Sequence, residues 1–174
     1  MPKINPTQID WAMLAAYIDG EGCIELRHVS KSKPIYSLVI TISNTNPLLS
    51  LWLRDRFDGK ILKKHIGENN HRRPAFNWCC YTKLAEKILQ NCLPYFVIKR
   101  HEAEIGIAYR ATVHKAGGDR KSQGAILTPE IASVRQSLKR QIGEAKRSFP
   151  INSLPDDFIT EFIRSNSLGV SPIN

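Results

Sequence analysis

The chain has 174 residues, 42% hydrophobic and 24% charged, which suffices for a domain with its own core and needs no disulfide or metal staple. Lys and Arg outnumber Asp and Glu by 25 to 16, and the net charge of +9 favours a polyanionic partner by attraction and counterion release. Cys23, Cys79, Cys80 and Cys92 show no C-x-x-C spacing, the N-terminus lacks a signal-peptide core, and no apolar run reaches the length of a membrane span. The expected protein is soluble and intracellular, with no membrane partner and its cysteines packed as small hydrophobes.

In chain order, Thr7 and Asp10 form a capping-box-like pair that opens a helix, with Trp11, Leu14, Ala15 and Ile18 at helical spacing. Ala12, Ala16 and Gly20 fall four apart, so one stripe of that helix carries almost no side chain and admits a second backbone closely. The helix stops on Gly20-Glu21-Gly22. A carboxylate between two glycines stands clear of its own chain and suits a hard cation.

Residues 23–29 predict a strand with Ile24 and Leu26 on one face and Glu25, Arg27 and Val29 on the other. Ser30 to Pro34, with Lys31 and Lys33, is a basic turn. A second strand, 35–43, sets Tyr36, Leu38, Ile40 and Ile42 against outward Ser37, Val39, Thr41 and Ser43. Asn44-Thr45-Asn46-Pro47 then begins a helix through Leu48, Leu49, Trp52, Leu53 and Phe57, ended by Asp58-Gly59. A third strand, 60–66, has Lys60 and Lys64 opposite Ile61. A basic hairpin loop with Arg72 and Arg73 leads to a fourth, 75–82, whose two faces are equally apolar. Helices follow over 83–92, with Leu84, Ile88 and Leu89 buried, and over 98–114. Thr128-Pro129 opens another, to about Phe149, and Pro155-Asp156-Asp157 a last short one.

Leu14-Ala15-Ala16-Tyr17-Ile18-Asp19-Gly20-Glu21-Gly22 resembles the motif that names the LAGLIDADG homing endonucleases, L-A-G-x-x-D-G-D-G. Ala16 stands for the usual glycine and Glu21 for the final acid. A second local match is Leu93-Pro94-Tyr95-Phe96-Val97-Ile98-Lys99. The resemblance covers roughly residues 7–114. It implies an α+β fold, a curved antiparallel sheet saddle backed by helices in the order α-β-β-α-β-β-α. Residues 1–174 would form one endonuclease-type domain, 7–114 its core and 115–174 a helical C-terminal extension.

The resemblance also implies site-specific hydrolysis of double-stranded DNA with Mg²⁺ or Mn²⁺. Glu21 and the Gly20 carbonyl are the expected metal ligands. Lys99 is the expected cation near the scissile phosphate, with Arg100 as its alternative if the register slips by one. Asn44 either positions water or caps the following helix. Glu25, Arg27, Lys31, Lys33, Ser37, Thr41, Lys60, Lys64, Arg72 and Arg73 are the expected DNA-facing residues. A single motif implies a homodimer through Ala12, Ala15, Ala16 and Gly20. A non-cleaving nucleic-acid binder such as an intron-splicing maturase is the alternative. No H-E-x-x-H or phosphate-cradling glycine loop is present to support other chemistry.

Overall fold

The structure, a computed structural model, describes residues 5–29, 33–64, 74–115 and 127–147. Helix α1 spans Gln8–Glu21, followed by strands β1 (Gly22–His28) and β2 (Tyr36–Asn44). Helix α2 (Pro47–Phe57), strands β3 (Lys60–Lys64) and β4 (Ala75–Tyr81) and helix α3 (Thr82–Cys92) come next. A 3-10 turn, Leu93–Tyr95, leads to α4 (Arg100–Lys115), and α5 spans Pro129–Ala145. This is the expected α-β-β-α-β-β-α order with helix beyond it. The helix expected near Pro155 lies outside the described residues.

The capping box at Thr7 is made in both directions. The Asp10 amide donates to Thr7 Oγ1 at 3.2 Å, and the Thr7 amide to Asp10 Oδ2 at 2.7 Å. Asn46, directly before Pro47, caps α2 by accepting the Leu48 amide at 3.0 Å, and Thr128 caps α5 through the Ile131 amide at 3.3 Å.

The four strands form one antiparallel sheet in the order β1-β2-β4-β3. Partners across each ladder point to the same side, so the register sorts the faces. Ile24 and Leu26 pair with Ile40 and Leu38, and Ile40 and Ile42 with Cys80 and Trp78, to make the inner face. These residues are buried with Leu14, Ala15 and Ile18 of α1, Leu53 of α2, Ile88 and Leu89 of α3, and Ile105 and Tyr109 of α4. Each fully buried Leu or Ile contributes about 1.5–3 kcal/mol. Trp78 also donates Nε1–H to the Asp58 carbonyl at 2.7 Å, which seats the bend between α2 and β3.

The opposite parity, including Arg27, Ser37, Thr41, Asn77, Cys79 and Lys60, makes the outer face. This settles β4, whose two apolar faces left its orientation open. Trp78 and Cys80 point to the helices, Asn77, Cys79 and Tyr81 away from them. Val39 is on the outer face as expected yet fully buried, because Glu25 and Tyr81 flank it across the ladders.

Helix α5 packs on α4 and reaches β1. Buried Arg135 bonds Thr112 Oγ1 and O at 3.0 and 3.2 Å, and Lys139 donates to the Leu26 carbonyl at 2.7 Å, engaging the outer strand of the sheet. Among the described residues no helix is long and apolar enough to cross a membrane. Cys79, Cys80 and Cys92 are buried as expected, while Cys23 is exposed.

Candidate active site

The end of α1 meets the end of β2. Helix α1 passes into β1 without a loop, and the Gly22 amide bonds back to the Ile18 carbonyl. A Cβ on Gly22 would lie 2.6 Å from Ile18 Cα and 2.7 Å from its carbonyl oxygen, so only glycine permits this turn from helix into strand. Glu21 is thereby left exposed on the last helical residue. Asn44 Nδ2 donates to Glu21 Oε2 at 2.8 Å, while Asn44 Oδ1 accepts the Asn46 amide at 2.8 Å. The cap of α2 is Asn46, so the helix-cap alternative for Asn44 falls and its amide is directed at Glu21.

A third element reaches the same place. The Asp19 carboxylate, 9% exposed, accepts three successive backbone amides: Val97 at 2.8 Å and Ile98 at 3.2 Å on Oδ2, and Lys99 at 2.8 Å on Oδ1. Lys99 Nζ in turn donates to the Asp19 carbonyl. Of the two cations the sequence left open, Lys99 is the one at the motif, because Arg100 Nε turns to Glu104 at 3.3 Å on α4. The sequence reading passed over Asp19. Its signal was an acid in the last turn of α1, where the helix dipole disfavours negative charge unless donors compensate.

Gly20 and Glu21 offer a carbonyl and a carboxylate, hard oxygen donors that suit Mg²⁺ or Mn²⁺. Among the described residues no three His, Cys, Asp or Glu side chains cluster as a ready-made metal cage. One carboxylate with a backbone carbonyl fits an ion that keeps most of its waters and takes phosphate oxygens.

The small-residue stripe needs one correction. Ala15 is fully buried in the core of its own chain and cannot line an interface, since it lies on the Leu14–Ile18 side of α1. Ala12 is half-buried, and Ala16 and Gly20 are exposed. Ile9 at 73% and Met13 at 43% exposure join them on the open face. Nothing lies within 4 Å of a Cβ built on Gly20.

On the outer face of the sheet, Arg27 is exposed and its guanidinium bonds Glu25, whose carboxylate raises the Arg27 pKa. Ser37, Thr41 and Lys60 share the face by register, and Lys64 pairs with Ala75 at its far end. Lys33 is exposed in the turn before β2. Lys31, Arg72 and Arg73 lie outside the described residues. The ambiguity of β4 had hidden Asn77 and Tyr81. Asn77 Oδ1 accepts the Ser43 hydroxyl at 2.8 Å, and the burial that raises the Tyr81 hydroxyl's pKa is partly offset by Arg27.

No protein-family model matches the sequence, and no curated protein matches it either. Solved structures do match. The homing endonuclease I-CvuI, in complex with its target in the presence of calcium, superposes with a TM-score of 0.63 at 17% identity, over 92% of this chain and 96% of that one. An archaeal intron-encoded homing endonuclease complexed with DNA gives 0.62 at 11% identity, over 92% and 98%. The meganuclease I-SmaMI, bound to uncleaved DNA, gives 0.57 at 18% identity over 91% of this chain but 49% of its own. The fold of this chain is the one these homing endonucleases share.

Proposed function

We propose that the protein is a site-specific, divalent-metal-dependent endonuclease for double-stranded DNA that works as a homodimer. The observation that carries this reading is the convergence of Glu21, Asn44 and Lys99, from α1, β2 and the turn before α4, at one end of the motif helix. The neighbours' complexes with DNA and the net charge of +9 support DNA as the partner.

The reaction is attack of water on a phosphodiester with departure of the 3′ oxygen. Glu21 and the Gly20 carbonyl would hold the cation. When bound, a divalent ion polarises the phosphate and offsets charge on the attacking and leaving oxygens. Asn44 fixes the Glu21 carboxylate through its amide hydrogen and leaves the second oxygen of Glu21 available. Lys99, whose Nζ bonds the Asp19 carbonyl in the last turn of the same helix, would bring a positive charge to the phosphate. The outer face supplies Arg27, Ser37, Thr41, Lys60 and Lys64, with Glu25 orienting Arg27, for contacts in the major groove.

Dimerisation is supported by the open face of Ile9, Met13, Ala16 and Gly20. Two copies joined along α1 bring two Glu21 carboxylates towards one axis, so the preferred site is a pseudo-palindrome.

The test is Glu21→Gln on duplexes selected from a randomised pool. Mg²⁺-dependent cleavage should disappear while Ca²⁺-supported binding persists, since the change removes a ligand charge and keeps the shape. Cleavage at the wild-type rate would move the active centre elsewhere, and binding by the wild type without cleavage under any divalent ion would favour the non-cleaving alternative.

A further inference from the structure

A cleft of about 370 Å³ opens beside the motif, between the Gly22–Cys23 start of β1, the first turn of α4 and the end of α5. Among the described residues, three charged side chains line it: Lys99, Glu102 and Lys146. Glu102 is only 8% exposed, and its Oε2 has no hydrogen-bond donor among the described residues. An acid in the first turn of a helix is ordinary, but the helix dipole does not require that acid to be buried with an oxygen unpaired. Burial pushes the Glu102 carboxyl above its usual range, and the charges of Lys146 and then Lys99 partly draw it back. Lys146 is exposed and its Nζ rests 3.1 Å from Cys23 Sγ, a weak acceptor, one residue beyond Gly22.

We propose that Glu102 is a positioning residue that holds Lys99 and Lys146 at the mouth of this cleft, and that α5 thereby gives the cleavage centre a second phosphate-directed cation. The reasoning rests on the endonuclease reading above. Two ammonium groups over one buried carboxylate leave a net positive mouth. Glu102 is the buried member of the three and Lys146 the exposed one. Arg135 and Lys139 anchor α5 to α4 and β1, so the position of Lys146 is set by the docking of that helix. The C-terminal segment is then part of the reaction centre and not only a cover for the sheet.

The experiment compares wild type with Lys146→Ala, Lys146→Arg, Glu102→Gln and the Glu102→Gln/Lys146→Ala pair, using a duplex that the wild type selects from a randomised pool. Affinity is measured in Ca²⁺ against salt, and single-turnover cleavage in Mg²⁺. Lys146→Ala should flatten the log-log salt slope by about 1, as the loss of one phosphate contact requires, and Lys146→Arg should restore it. Glu102→Gln should leave the slope alone and slow the single-turnover step about tenfold, with little of that loss remaining in the Lys146→Ala background. Additive rate losses, or an unchanged slope in Lys146→Ala, would overturn the proposal. Lys146 is exposed, so its substitution keeps the slope test decisive even if Glu102→Gln folds poorly. A wild type that binds no duplex in a salt-dependent way would overturn both this inference and the reading beneath it. Normal wild-type cleavage with additive losses overturns this inference alone.

Discussion

Asp19→Asn is the sharpest probe of how the fold holds the candidate site. The carboxylate receives three backbone amides, two on Oδ2 and one on Oδ1, in a setting 9% exposed. Asparagine offers one oxygen. In its better orientation that oxygen keeps the Val97 and Ile98 amides and turns an NH₂ group against the Lys99 amide, so one charge-assisted bond is lost and one buried donor is stranded. A hydrogen bond to a charged group is worth about 1.5–3 kcal/mol, and a stranded donor costs a similar amount. With partial relaxation the expected loss is about 2–3 kcal/mol, or roughly 4–12 °C in Tm for a chain of this size. The opposite orientation strands two donors and is worse.

Urea unfolding at neutral pH reads the stability, and single-turnover cleavage in Mg²⁺ reads the site. The Lys99 amide is the donor released, so the backbone that carries Lys99 loosens, and cleavage should fall well beyond the unfolded fraction at the assay temperature. A stability loss under about 1 kcal/mol with an unchanged cleavage rate would refute the role assigned to Asp19.

Other substitutions test separate parts of the structure. Gly59→Ala should cost about 2–4 kcal/mol in urea unfolding. Its φ of +105° suits glycine, and the added Cβ would lie 2.7 Å from Trp78 Nε1, disturbing the bond to Asp58. The Asp10 carboxyl titrates below 3.8, chiefly because it accepts the Thr7 amide, so its contribution is present above the unfolded value and is lost as pH falls through the lower folded value. The stability gap between wild type and Asp10→Asn should therefore stay constant from neutral pH to about 5 and narrow below 3.8. Ala16→Leu should leave the Tm of the separated chain nearly unchanged, because Ala16 is exposed, while sedimentation reads loss of the dimer and cleavage falls with it. A dimer of wild-type affinity in that variant would take the interface off α1.

Much of the frame was legible because local rules coincide with tertiary ones here. Thr7 with Asp10, Asn46 with Pro47, and Thr128 with Pro129 mark helix starts through capping chemistry that neighbouring residues supply. The alternation of Tyr36, Leu38, Ile40 and Ile42 marks the inner face of β2. Strand β4 was not legible, because Ala75 to Tyr81 carries apolar side chains on both faces. Only its pairing of Cys80 with Ile40 and Cys79 with Thr41 decides which side meets the helices. The contacts of Asn44 and Asp19 were illegible for a related reason: each partner lies far along the chain, and nothing in local spacing encodes it.

The nine residues of the motif divide among contacts of different kinds. Ala15 is small because the core leaves no room, and Gly22 is bare because the Ile18 backbone lies against it. Asp19 is acidic because three amides need an acceptor, and Glu21 is free of the core and held by Asn44. Ala16 and Gly20 are the exceptions. Both are exposed, and a Cβ on Gly20 would meet nothing within 4 Å. Glycine within a helix costs about 1 kcal/mol relative to alanine, and the described part of this chain returns nothing for it. A second α1 laid along Ile9, Met13, Ala16 and Gly20 gives that cost a use, because only a bare stripe lets two helices meet closely enough to bring two Glu21 side chains within reach of one DNA site. On the proposed reading the two acids of the motif divide the work: Asp19 holds the chain's own Lys99 in place, and Glu21 would act on the DNA.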